Sequence, residues 1–163
     1  MSGLETHFFF KIGMNSEILL KINGFLENTK YRCIDFIIKG ERNVKILEIY
    51  VDSREIFDID ELAKLNRDLW DALQNEEILR NISKIIVSSP GIDRSFKYIW
   101  QIYKHIGKML VIKLINGDIL NGKILDIIND KEIILEVLKN KKEFETVKLN
   151  FDEIQESKVK IKY

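Results

Sequence analysis

The chain contains a single proline, Pro90, which follows the run Ile85-Ile86-Val87-Ser88-Ser89 and precedes Gly91. Proline has a fixed φ and no N–H to give to a ladder, so a central strand cannot pass through it. The residue before it, Ser89, is held toward extended backbone. Lys84–Ser88 is therefore predicted to be a short strand that a rigid corner ends. Pro-Gly favours a tight turn with positive φ at Gly91. Asp93 and Arg94 follow within the same turn, placed to lock the corner through a carboxylate–guanidinium pair or backbone hydrogen bonds. Hydrophobic periodicity changes across this point, so the corner is also expected to separate two folding units.

Ahead of the corner the pattern mixes helix and strand. Residues 1–14 read as a leader, and no function is placed in them. A helix is predicted over 16–28, capped by Ser16, with Ile18, Leu19, Ile22, Phe25 and Leu26 along one face. Strand-like runs at 31–39 and 43–52 flank the polar stretch Gly-Glu-Arg-Asn and predict a hairpin. A second helix is predicted over 59–74. Asp58 and Glu61 stand in capping-box spacing ahead of the apolar stripe Ile59, Leu62, Leu65, Leu69 and Leu73. With the strand at 84–88, residues 15–92 read as an α/β layer of two helices on a three-stranded sheet.

Beyond the corner, residues 93–163 read differently. Residues 95–107 have room for about two helical turns. Short strand runs then follow at 108–114, 119–127, 131–138, 143–149 and 157–163, separated by turn signals about ten residues apart, the signature of a small β-barrel. Asn116-Gly117 signals a two-residue hairpin. Gly122 lies inside a strand pattern, where small barrels bend. The fold class expected is thus α+β, with a small Sm/SH3-like β-barrel as the second domain.

Composition narrows the chemistry. No apolar run approaches the roughly 18–20 residues of a membrane span. The lone cysteine, Cys33, has no second cysteine to pair with in this chain, which suits a reducing, cytoplasmic setting and excludes a cysteine-based zinc site. Lys plus Arg and Asp plus Glu are equal at 26 each, so the chain is no polybasic nucleic-acid binder. Residues 1–97 carry 14 basic and 16 acidic side chains, net −2, and residues 98–163 carry 12 and 10, net +2. Ser88 and Ser89 lack a nucleophile elbow, and the only histidines are His7 and His105, so no triad is expected. There is no phosphate-cradling glycine loop. The acidic run at 52–61 lacks the glycine and terminal Glu of a calcium loop and reads as a solvated helix start. The lysines of 139–144 read as a solvated loop with some capacity for phosphate. No cofactor, metal or small-molecule substrate is expected.

The segment Val87-Ser88-Ser89-Pro90-Gly91-Ile92-Asp93-Arg94 resembles the signature of the ribosome maturation factor RimP family. The likeness extends to 46–53, to the helix at 58–73, to 106–114 and to 147–159. Ser95 stands where the family usually has proline, the turn after 50–53 lacks the usual glycine pair, and Trp100 and Tyr103 replace polar residues. Those aromatics are expected to pack between the domains. The resemblance implies a non-catalytic factor without cofactor that binds the immature small (30S) ribosomal subunit and promotes its late maturation. Its partners would be the ribosomal protein near the decoding centre and adjacent rRNA, and the chain would act as a monomer. Ser88, Ser89, Pro90, Gly91, Asp93 and Arg94 are then the candidate partner-binding or interdomain residues. The alternative is an Sm-like RNA-binding module acting on free RNA.

Overall fold

In the computed structural model, which describes residues 3–161, two sheets form on either side of the proline. The chain divides into two compact units, residues 1–53 with 57–89 and residues 90–163 with 54–56.

The first unit holds helix α1 (Gly3–Leu26), strands β1 (Tyr31–Glu41) and β2 (Val44–Ser53), helix α2 (Ile59–Leu73), a 3₁₀ turn (Glu77–Leu79) and strand β3 (Ile82–Ser88). β1 and β2 pair antiparallel, and β3 joins β2 in parallel, so β2 is central. A parallel neighbour needs a crossover connection, and α2 provides it. α2 starts at a full capping box: the Glu61 N–H donates to Asp58 Oδ1 at 2.8 Å and the Asp58 N–H to Glu61 Oε2 at 2.9 Å. Leu65, Leu69 and Leu73 of α2 and Ile18, Ile22 and Leu26 of α1 meet Leu47, Ile49, Val51, Ile85 and Val87 of the sheet in one core. Alternate strand residues face one side, so these five residues all lie on the helix-covered face.

Three expectations need correction here. α1 begins at Gly3, well ahead of the predicted start at residue 16. Ser16 is inside α1 and caps nothing. Ile59 is 82% exposed, because the first residue of α2 precedes the turn that reaches the core.

The β1–β2 turn uses Arg42 at φ 48° and Gly40 at φ +112°. A Cβ on Gly40 would stand 2.1 Å from the carbonyl oxygen of Val44, so only glycine fits.

The second unit opens with a 3₁₀ segment (Ile99–His105), followed by strands β4 (Met109–Leu114), β5 (Ile119–Ile128), β6 (Glu132–Leu138) and β7 (Phe144–Asn150), a 3₁₀ turn (Phe151–Glu153) and β8 (Ile154–Val159). All pairings are antiparallel, in the order β7-β6-β5-β4-β8. The last strand begins at Ile154, three residues before the predicted run. The β4–β5 connection is also longer than expected. The Leu114 N–H donates to Asp118 O, leaving a three-residue loop with Gly117 at φ +96°. Two consecutive positive-φ residues appear instead at Asn129 and Asp130, at φ 54° and 55°, in the three-residue β5–β6 connection closed by the Lys131 N–H donating to Ile128 O.

This sheet cannot be flat. β7 and β8 are its opposite edges, yet only Phe151–Glu153 separates them. The Phe151 N–H donates to Lys131 O, beyond the end of β5, and Glu153 O accepts from the Ile115 N–H, ahead of its start. A straight ten-residue strand spans roughly 33 Å, whereas a three-residue turn reaches about 10 Å. β5 therefore bends, with a register shift between Ile124 and Asp126 and with Gly122 packed against β6. A Cβ on Gly122 would meet Leu135 Cβ at 3.1 Å and Val137 Cγ2 at 3.2 Å. The curled sheet wraps a second core of Ile102, Leu110, Ile112, Ile124, Ile133, Leu135 and Leu149.

Candidate binding segment at the end of β3

β3 is built to stop. Ile85 and Val87 face the core and Ser88, paired with Tyr50, is the last strand residue. The outer edge of β3 is closed by a side chain rather than another strand. Asn66 of α2 accepts from the Val87 N–H at 2.6 Å and donates to Ile85 O at 3.2 Å. One amide thus takes up two of the backbone groups that a further strand would use. Nothing in the periodicity of α2 marks Asn66 for this task, since it sits between stripe positions.

Ser89 is exposed and Pro90 half-buried, and no strand residue follows until Met109. The predicted positive φ at Gly91 is not found: the positive-φ glycines among the described residues are Gly40, Gly107 and Gly117. The turn begins at Gly91 instead of centring on Pro-Gly. The Arg94 N–H donates to Gly91 O at 3.0 Å, making Gly91 the first residue of the turn, a position with no demand on φ. Gly91, Ile92, Asp93 and Arg94 are all exposed.

The chain is then fastened to β8. Ser95 Oγ accepts from the Ser157 N–H at 3.0 Å, and the Phe96 N–H donates to Ser157 O at 3.0 Å. A proline at 95 has no hydroxyl for this bond, so the serine holds by hydrogen bonding what a ring would hold by stiffness. Gln101, 1% exposed, accepts from the N–H groups of Lys97 and Tyr98 and starts the 3₁₀ segment. Tyr98 and Trp100 stack at 5.8 Å and 9°. Tyr103 packs against the second core and its hydroxyl donates to Asp130. That bond holds the Asp130 carboxyl below its ordinary range and pushes the Tyr103 phenol up.

Beside Ser89 lies a groove of about 420 Å³ lined by Phe57, Asp58, Ile59, Asp60, Leu62 and Ser89. Its lining combines the apolar Phe57, Ile59 and Leu62 with the carboxylates of Asp58 and Asp60. Glu61, next to it, is held below the ordinary glutamate range by its hydrogen bond from Lys30 and then by the Asp58 N–H. Among the described residues no group of His, Cys, Asp or Glu is placed to hold a metal ion. No helix of the described residues is long and apolar enough to cross a membrane.

Residues 21–93 match the family model of the RimP N-terminal domain. Residues 21–93 of the chain carry a RimP N-terminal domain. The match runs from α1 through the sheet and ends on the turn at Asp93, so it takes in the signature almost entire. RimP proteins are non-enzymatic ribosome maturation factors associated with the small ribosomal subunit. Ser88 and Ser89 accordingly belong to a binding protein and not to a hydrolase.

Proposed function

We propose that this chain binds the immature 30S subunit and promotes its late maturation without catalysis. The observation that carries the reading is the family match over residues 21–93, which ends on the exposed turn at Gly91–Arg94. The partners we infer are the ribosomal protein near the decoding centre and adjacent rRNA, met in the cytoplasm by a monomer. A net −2 over residues 1–97 suits a basic ribosomal protein, and the +2 of residues 98–163 suits RNA. The curled second sheet is read as an Sm/SH3-like barrel. Two contacts on one chain make the second engagement intramolecular, which raises its effective concentration. Ser88, Ser89, Pro90, Gly91, Asp93 and Arg94 are assigned to fixing that connection or to touching the subunit.

Sedimentation of a cell extract at two salt concentrations tests this. The protein is expected with free small subunits and not with translating ribosomes. Sedimentation at the top of the gradient at both salts overturns the reading, and equal binding to naked RNA favours an Sm-like module acting on free RNA. Arg94→Ala is expected to weaken association with small subunits about tenfold while leaving Tm in place, a loss of the size of one charged hydrogen bond. Unchanged association removes Arg94 from the site.

A further inference from the structure

Each sheet edge is a row of backbone groups that invites another strand, and folded proteins cover or distort such rows. The edge at β3 has two of its groups taken by Asn66. The edge at β8 is closed by Ser95 and Phe96, which take the N–H and C=O of Ser157. β1 carries a register shift between Cys33 and Asp35, and past it Asp35–Glu41 pair with β2 without a break. β7 is different. Its seven residues pair with β6 in unbroken register from Leu138↔Phe144 to Glu132↔Asn150, it contains no proline, and it ends the strand order.

The free groups can be identified. The Lys139 N–H donates to Glu143 O and the Phe151 N–H to Lys131 O, which fixes the parity of the ladder. Hydrogen-bonded pairs alternate along an antiparallel ladder, so Glu145, Val147 and Leu149 direct their backbone groups to β6. Phe144, Thr146 and Lys148 direct theirs outward. At the open end of this edge Phe144 is 64% exposed and its cross-strand neighbour Leu138 is 53% exposed. The adjoining turn carries Lys139, Lys141 and Lys142 against Glu143, and Asn140 Oδ1 fixes it by accepting from the N–H groups of Lys142 and Glu143. Lys148 is bridged to Glu132 at 3.0 Å.

We propose that the outer edge of β7 accepts an extended segment of a partner protein as a sixth strand. The segment fits if it is free of proline, seats an apolar side chain beside Phe144 and Leu138, and brings carboxylates to the three lysines of the turn. Main-chain bonds to Phe144, Thr146 and Lys148 supply the affinity, and those side chains supply the selection. This contact is independent of the segment at 88–94.

The test uses the full chain and a fluorescein-labelled peptide, acetyl-Asp-Asp-Val-Thr-Val-Thr-Val-Asp-Asp. Fluorescence anisotropy is expected to rise on binding, and the amide protons of Phe144, Thr146 and Lys148 to become protected from exchange. Thr146→Pro removes an N–H that β6 does not use, so it is expected to weaken binding at least about tenfold with Tm retained. The same peptide with alternate backbone nitrogens methylated is expected not to bind the unaltered protein, a readout that does not depend on how the proline variant folds. Absence of binding, equal binding of the methylated peptide, or protection of amides elsewhere overturns the proposal. So does self-association of the chain through β7 in sedimentation equilibrium, which would make a second copy the occupant.

Discussion

The two sheets solve the same burial problem in opposite ways. The first sheet places a strand in parallel beside β2 and covers one face with helices drawn from distant parts of the chain. The second takes its strands from a contiguous stretch and buries its inner face by bending. Cover supplied by helices asks each element for an apolar stripe and good caps. Cover supplied by curvature asks for close backbone approach at the bend. The side chains that matter most therefore differ in kind between the units.

The sharpest contrast is between two glycines. Gly40→Ala puts a Cβ into a carbonyl oxygen at a backbone angle that L residues avoid, and is expected to cost more than about 3 kcal/mol. Gly122→Ala meets side-chain atoms that can yield by tenths of an ångström, and is expected to cost about 1–2 kcal/mol. Urea unfolding gives the totals, and native-state hydrogen exchange tells which unit loses protection. Equal losses would mean that the bend in β5 is as intolerant as the hairpin.

Two buried polar groups give a smaller contrast. Asn66→Ala leaves Ile85 O and the Val87 N–H without their partner, and is expected to cost about 2 kcal/mol. Ser157 is 1% exposed and its Oγ has no hydrogen-bond partner among the described residues. Ser157→Ala keeps the backbone bonds to Ser95 and Phe96 and is expected to change stability by less than about 0.5 kcal/mol. A large loss at Ser157 in thermal unfolding would contradict the geometry at the β8 edge.

The smallest effect concerns pH. Glu61 has a lowered pKa in the folded chain, so the stability it adds is present above its ordinary value of 4.5 and is lost as pH falls through the folded value. Glu61→Gln is expected to lower Tm slightly at neutral pH and to coincide with the unaltered protein below that folded value. Curves that run parallel through acid pH would show that the carboxylate charge contributes nothing.

Much of this molecule is legible from local pattern. The Asp58–Glu61 box and the Leu65, Leu69 and Leu73 stripe depend on residues within a few positions of one another, and short-range rules reach that far. Pro90 ends β3 by covalent chemistry alone. Asn66 was not legible, because its partners lie 19 and 21 residues away and an internal helix asparagine carries no sign of where its amide points. The role of Ser95 was hidden for the same reason, its partner being 62 residues on. Gly91 departs from expectation because Pro-Gly statistics describe a turn centred on that pair, while the fastening of Ser95 and Phe96 to β8 accompanies a turn that starts two residues later, at Gly91.

The sequence by itself determined where β3 ends, where α2 begins and that the pattern changes at Pro90, since proline geometry, capping spacing and apolar period act over a few residues. Tertiary structure decided which backbone groups of the sheet edges are taken up by side chains and loops. Edge closure depends on side chains brought together across tens of residues, and no local rule records that meeting.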